Sequence, residues 1–287
     1  MDIIKRRQHY VPKTYLKPFS KSGRSNDIIC AYFLKQKRIR LVAIDDVCVE
    51  NYLYEHYICY DNGETDFISP NSIENGYMQL ENEYRPIIEK IISNQSDAVL
   101  LTADEQNILT GFMSVMLFRH PIFINLTNAL HEKVYAENKE WRKELSNKFP
   151  KVADIYFKMS YLHKLLEIQQ DPNQSLIIQT IKSTFDDNQL CVFKSTSGDF
   201  ITSDAPIVNV YGDINGVEYD LVGMPVSPEF FVAFIDIDSN VSNKVFTIND
   251  EQTLSLNKYQ YSRPASGIIM SKSEDVLRKQ CPIIYNG

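Results

Sequence analysis

Between Thr102 and Arg119 the chain writes a helix that is apolar nearly all round. Thr102 with Glu105 three residues on has the spacing of a capping box, and Pro121 stops the pattern at the far end. Ile108, Leu109, Phe112, Met113, Val115, Met116 and Leu117 leave no wide polar face. A helix of this kind must be central, because no side of it can be left to water. It ends on Arg119. A guanidinium carried into the interior needs an acidic partner, and Glu81 and Asp204 are the two candidates.

The rest of the chain falls into place on either side. Asp27 to Leu34 and Arg38 to Ile44 read as a β-hairpin turning at Gln36-Lys37, and a third strand is expected from Val47 to Tyr54. Ile73, Tyr77, Leu80, Tyr84, Ile87, Ile88 and Ile91 repeat at 3.6 residues and predict a helix from Ser72, with Pro86 expected to bend or end it. Glu81 lies beside that stripe. A charged helix is expected over 122 to about 148, and two more near 150–169 and 173–185. Their histidines, His131 and His163, carry no metal-ligating pattern. After Asn188 strands return: Leu190–Lys194, Asp199–Thr202, Ile207–Tyr211, Glu229–Asp236 and Gly267–Met270. Short helices are expected after Asn249-Asp250 and from Ser273. Strands, then helices, then strands predict an α+β fold. The expectation is a single domain over 1–287 with one mixed or antiparallel sheet built from both ends of the chain. Its parts are a basic arm and hairpin (1–60), an inserted helical lobe (72–185) and a β-rich C-terminal part (189–272).

Charge is unevenly placed. The first forty residues hold eleven Lys and Arg against two Asp, a net +9, whereas the whole chain is −7. Such an asymmetry suggests an anion-binding face, with nucleic acid or another phosphate-bearing ligand as partner. Docking of the arm on the acidic remainder explains the same charge. Within the arm, Arg6, Arg7, Gln8, Tyr10, Lys13 and Tyr15 are candidate binding residues, and His9 is the candidate base. Neighbouring cations favour its neutral imidazole, the form that accepts a proton. A structural histidine anchoring the arm is the competing reading.

Thr202-Ser203-Asp204-Ala205-Pro206 ends an apolar strand in a turn. Asp204 is a candidate catalytic carboxylate and Ser203 a candidate contact, although both are also common turn residues. If the two ends of the chain share a sheet, His9, Glu81, Arg119 and Asp204 could line one cleft. Base, carboxylates and an anion clamp would then serve phosphodiester chemistry, with the histidine or a water on a divalent metal such as Mg²⁺ or Mn²⁺ as base. No P-loop, dinucleotide-binding glycine motif, kinase set or CxxC pair occurs. Five widely spaced cysteines fit reduced thiols, and no run approaches the roughly 20 apolar residues of a membrane span. A cytoplasmic protein is expected.

Arg7-Gln8-His9-Tyr10-Val11-Pro12 with Tyr15-Leu16 and Phe19, then Asn51, Tyr54, Glu81, Arg119, Phe200-Ile201-Thr202-Ser203-Asp204-Ala205-Pro206 and Met224-Pro225-Val226-Ser227-Pro228, resemble the bacterial domain of unknown function 4238. The resemblance runs from about residue 6 to about 271. It implies a protein of mobile elements, in some cases linked to defence against phage, and supplies no reaction. The expectation is a defence or toxin-like effector acting as a nuclease or phosphohydrolase. The rival is a non-catalytic module that binds nucleic acid or protein.

Overall fold

The computed structural model describes residues 4–21, 27–59, 65–126, 188–214, 217–236 and 241–284, except Ser69 and Pro264, together with six helical residues between 127 and 187. The helices expected over 150–169 and 173–185, His131 and His163 lie outside the described residues, as does most of the charged helix. The class is α+β, as the order of elements indicates.

The single sheet expected from both chain ends is two sheets. One does join the ends: β2 (Ile28–Phe33) and β3 (Arg38–Ala43) form the expected hairpin, β13 (Ile268–Ser271) pairs antiparallel with β2, and β8 (Thr202–Ser203) pairs with β13. The other is entirely C-terminal. It orders β12 (Lys244–Ile248), β7 (Gln189–Ser195), β11 (Phe230–Asp236), β10 (Val217–Pro225) and β9 (Val208–Ile214), with β12 parallel to β7 and the rest antiparallel. The separation follows from burial. Phe230, Val232 and Phe234 of β11 face the main core, while Phe231, Ala233 and Ile235 face a second cluster with Val208, Val210 and Leu221. A strand apolar on both faces needs cover on both sides, so the C-terminal strands make a sheet of their own.

The expected third strand does not extend the hairpin. Val49–Asn51 (β4) instead pairs with Arg7–His9 (β1), which makes the basic arm a strand. A small hairpin of β5 (His56–Cys59) and β6 (Thr65–Ile68) follows. Behind the arm, α1 (Lys13–Leu16) and a 3₁₀ turn (Lys17–Phe19) bury Tyr15, Leu16 and Phe19.

Helix α2 (Ser72–Ile92) continues past Pro86, so the proline does not end it. Pro86 and Asn82, whose carbonyl loses its helical donor, are both on the exposed side, where water takes over the bond. Helix α3 (Ala103–Phe118) starts with the capping box at Thr102 and Glu105. It buries Leu109, Phe112, Met113, Met116 and Phe118, and the Phe112 ring stacks on Tyr84 of α2. Residues 121–126 are helical again, with Pro121 at the first position, where its missing N–H costs nothing. Helices α4 (Asp250–Tyr261, capped by Asn249) and α5 (Glu274–Gln280, capped by Ser273) close the fold.

Two glycines test this packing. A Cβ on Gly223 of β10 would lie 2.5 Å from both the Phe231 ring and the Val232 carbonyl, whereas one on Gly111 in α3 would meet nothing within 4 Å. Gly223→Ala is expected to lower stability in urea unfolding by about 1–3 kcal/mol. Gly111→Ala is expected to raise it by about 0.5–1 kcal/mol.

Candidate functional site

Arg119 caps the C-terminal end of α3 and is 2% exposed. Its Nη1 donates to Glu81 Oε1 at 2.9 Å, its Nη2 to the His9 carbonyl at 2.6 Å and its Nε to the Tyr54 hydroxyl at 3.3 Å. The guanidinium lies 4.3 Å from the centre of the Tyr77 ring. Burial opposes its charge, but Tyr54 and Glu81 more than compensate and raise its pKa. Burial pushes the Tyr54 phenol up to about 12. Of the two candidate partners the guanidinium takes Glu81, on α2. It thereby ties α2, α3, β1 and the segment after β4 at one point.

The neighbouring arm residues are spent in the same way. Gln8 is fully buried. Its amide donates to Glu55 Oε1 at 2.7 Å and its carbonyl accepts from the Tyr54 backbone N–H at 2.7 Å. Glu55 in turn accepts from the Asn71 N–H, and the Asn71 side chain accepts from the Lys5 N–H at 2.7 Å. The Tyr15 hydroxyl donates to the Pro225 carbonyl at 2.6 Å and meets Thr202 Oγ1 at 2.8 Å, so it joins the arm to both C-terminal motifs. Tyr10 is buried against His120, and its backbone N–H donates to the Cys48 carbonyl at 3.0 Å. Gln8, Tyr10 and Tyr15, expected to touch a ligand, therefore face the interior.

His9 differs. It is only partly buried, and its Nε2 is shut from solvent without a hydrogen-bond partner. Burial, and then the charge of Lys13, lower its pKa; Arg119 adds to this. Lys13 Nζ sits 3.0 Å from Asp45 Oδ1, and Arg7 Nη2 sits 2.7 Å from Asp46 Oδ1. The Lys13 contact holds the Asp45 carboxyl below its usual value. Thr14 Oγ1 approaches Glu81 Oε2 at 3.4 Å. Arg6 is exposed.

Asp204 is elsewhere. Its carboxylate accepts from the Gly267 N–H at 2.9 and 3.1 Å, and Oδ2 is 4.0 Å from His120 Nε2. No hydrogen bond or ion pair joins it to His9, Glu81 or Arg119. The four-residue cleft anticipated from the sequence is thus three residues around Arg119, with His9 contributing its carbonyl to the guanidinium, and a separate Asp204. The reason is that β8 is an edge strand whose turn folds back toward β13, so Asp204 is consumed in fastening Gly267. Ser203 Oγ donates to Gln260 Oε1 at 2.8 Å and accepts from the Ala205 N–H.

The sequence profile of the family described as "Protein of unknown function (DUF4238)" matches residues 7–275. The chain belongs to the DUF4238 family. No curated protein and no solved structure matches it. In this DUF4238 protein, no group of three or more His, Cys, Asp and Glu side chains among the described residues could hold a metal ion. The metal-bound water considered as a base has no ligand set among the described residues. Among the described residues no helix is long and apolar enough to cross a membrane.

Several residues were missed in the sequence: Asp45, Glu55, Tyr77, His120 and the polar side of α4. That last one left a signal. Thr253, Asn257 and Gln260 fall at i, i+4 and i+7, and all three are buried. Asn257 bonds the Ile201 N–H, the Asp199 carbonyl and Gln280, and Gln260 also donates to the Pro206 carbonyl. A polar stripe at helical spacing marks a helix that holds a loop through hydrogen bonds.

Removing Glu81 leaves a buried guanidinium without its counter-charge. Glu81→Leu is expected to destabilise the protein by about 3–5 kcal/mol in denaturant titration. Ser203→Ala, which deletes two neutral hydrogen bonds and leaves Gln260 Oε1 without its donor, is expected to cost only about 1–3 kcal/mol.

Proposed function

We propose that this protein hydrolyses a phosphate ester, in the manner of a nuclease or phosphohydrolase, on the face formed by the basic arm, with His9 as general base. The observation that carries the reading is the His9 imidazole: it is held toward its neutral form beside Lys13 and Asp45, and its Nε2 is unused. A neutral imidazole can take a proton from a nucleophile at its free nitrogen. Lys13 is the cation beside it. Its ion pair with Asp45 is exposed, worth only about 0–1 kcal/mol, so exchanging Asp45 for a phosphate oxygen costs little. Nε2 is closed to solvent, so a substrate has to displace a neighbour to reach it. Glu81 and Arg119 act as the fixed floor that sets the His9 backbone. An effector role in defence against phage is supported by the resemblance of the sequence alone.

A binding-only reading is favoured by a different observation. Lys35, Lys37, Arg38 and Arg40 lie exposed along the hairpin and its edge strand β3, and none has a carboxylate within ion-pair distance among the described residues. A row of unpaired cations attracts a phosphate backbone without breaking a bond.

The experiment is hydrolysis of single-stranded and double-stranded nucleic acid and of nucleotides, followed across pH. Activity is expected to need deprotonated His9, so it falls only as pH drops below the lowered pKa. Lys13→Met removes a positive neighbour, raises the His9 pKa and moves the acidic limb to higher pH. His9→Ala is expected to lose at least about a hundredfold in rate while melting near wild type. Salt-sensitive binding with no turnover in the wild-type protein would select the binding reading instead.

A further inference from the structure

Away from the arm, a cavity of about 290 Å³ opens between the end of α3, the helical residues 121–126, the turn after Asp204 and the loop at Arg263. That is the small end of the range for ligand sites, roughly 300–1,000 Å³. Its walls are apolar, with Phe118 and Pro206 inside, and its rim carries Ile122 and Leu126, 51% and 55% exposed. Apolar side chains this open on adjacent turns beside a cavity are surface that a ligand would cover.

Two polar side chains interrupt the apolar lining. Arg263 is part-buried in the wall. The one hydrogen bond of its side chain among the described residues is from Nη1 to the Ala205 carbonyl at 3.3 Å, and no carboxylate lies within ion-pair distance there. Desolvation lowers its pKa, so the guanidinium is short of counter-charge. His120 is the second. It is 9% exposed and forms part of the same wall. Its Nδ1 accepts from the Ile122 N–H at 3.2 Å, which leaves the proton of the neutral ring on Nε2. That Nε2 is buried and has no hydrogen-bond partner, with Asp204 Oδ2 at 4.0 Å, beyond bonding distance. Ser266 Oγ, one residue before the Gly267 that fastens Asp204, is also buried without a partner. A buried donor and a half-buried cation are both costly unless something completes them.

We infer that this cavity is a binding site for a small amphipathic organic anion, with its apolar body between Phe118, Ile122, Leu126 and Pro206 and its carboxylate on Arg263. A carboxylate matches the guanidinium fork and supplies the counter-charge it lacks. A cavity this small suits a short aliphatic body. An alcohol would leave Arg263 unpaired, and an amine would meet it with like charge.

The test is calorimetric titration of the full chain with octanoate, 1-octanol and octylammonium. Saturable one-to-one binding of octanoate is expected, with 1-octanol at least about tenfold weaker, a difference of about 1.4 kcal/mol, and no binding of octylammonium. Arg263→Gln is expected to reduce octanoate binding to the level of the alcohol. Ala265→Leu, which fills the cavity from its wall, is expected to abolish binding of both. His9→Ala is expected to leave octanoate binding unchanged, which separates this site from the arm. Equal binding of octanoate and 1-octanol overturns the inference, as does octanoate binding that survives Arg263→Gln. Absence of saturable octanoate binding to the wild-type protein overturns it without any variant.

Discussion

The Arg119 guanidinium is the interaction on which the arrangement depends. A charge taken out of water is tolerated only when its donors are met and its counter-ion is near. Here the donors are met by three separate parts of the chain: the Glu81 carboxylate on α2, the His9 carbonyl on β1 and the Tyr54 hydroxyl after β4. None of these can shift without exposing the charge or leaving it unpaired. The cation therefore fixes where the basic arm crosses the helices, and with it the position of the His9 ring. A hydrophobic contact at this place would hold the elements together but would not specify their register, because apolar packing tolerates sliding far better than a forked hydrogen-bond donor does.

The arm is bound a second time from the opposite end of the chain. Tyr15 reaches the Pro225 carbonyl and Thr202, while Gln260 and Asn257 of α4 fasten the strand and turn around Ser203. Side chains that look chemical in the sequence are thus mostly donors and acceptors for buried backbone. The balance is physical. A serine, glutamine or tyrosine at the junction of two sheets has to satisfy main-chain groups that neither sheet completes. Two of the groups that this network leaves incomplete among the described residues lie at its edges: the imidazole of His9 on one side, and Arg263 with His120 on the other.

Much of the local structure was legible. The capping box at Thr102, the helix after Asn249, the hairpin at 28–43, and the strands 189–195 and 230–236 follow from side-chain chemistry acting over a few residues. So did the need of Arg119 for a carboxylate, since burial of a charge on an apolar helix admits no other solution. The strands at 217–225 and 244–248 were not anticipated. The first begins in a polar stretch and turns apolar only toward its end. The second is an edge strand whose parallel pairing with β7 depends on a neighbour some fifty residues away.

The site shows the same division. By itself, the sequence determined which residues could not be idle: an arginine at the end of a buried helix, a histidine among cations, an aspartate and serine at a strand end. Only the tertiary structure decided how each was used. The choice of Glu81 over Asp204, the turning of Gln8 and Tyr15 inward, the pairing of Val49–Asn51 with the arm and the placing of His120 and Arg263 around one cavity all bring together residues distant along the chain. Hydrogen-bond and ion-pair partners are selected by distances of about 3 Å, and spacing along a sequence carries no information about separation in space once the chain has turned.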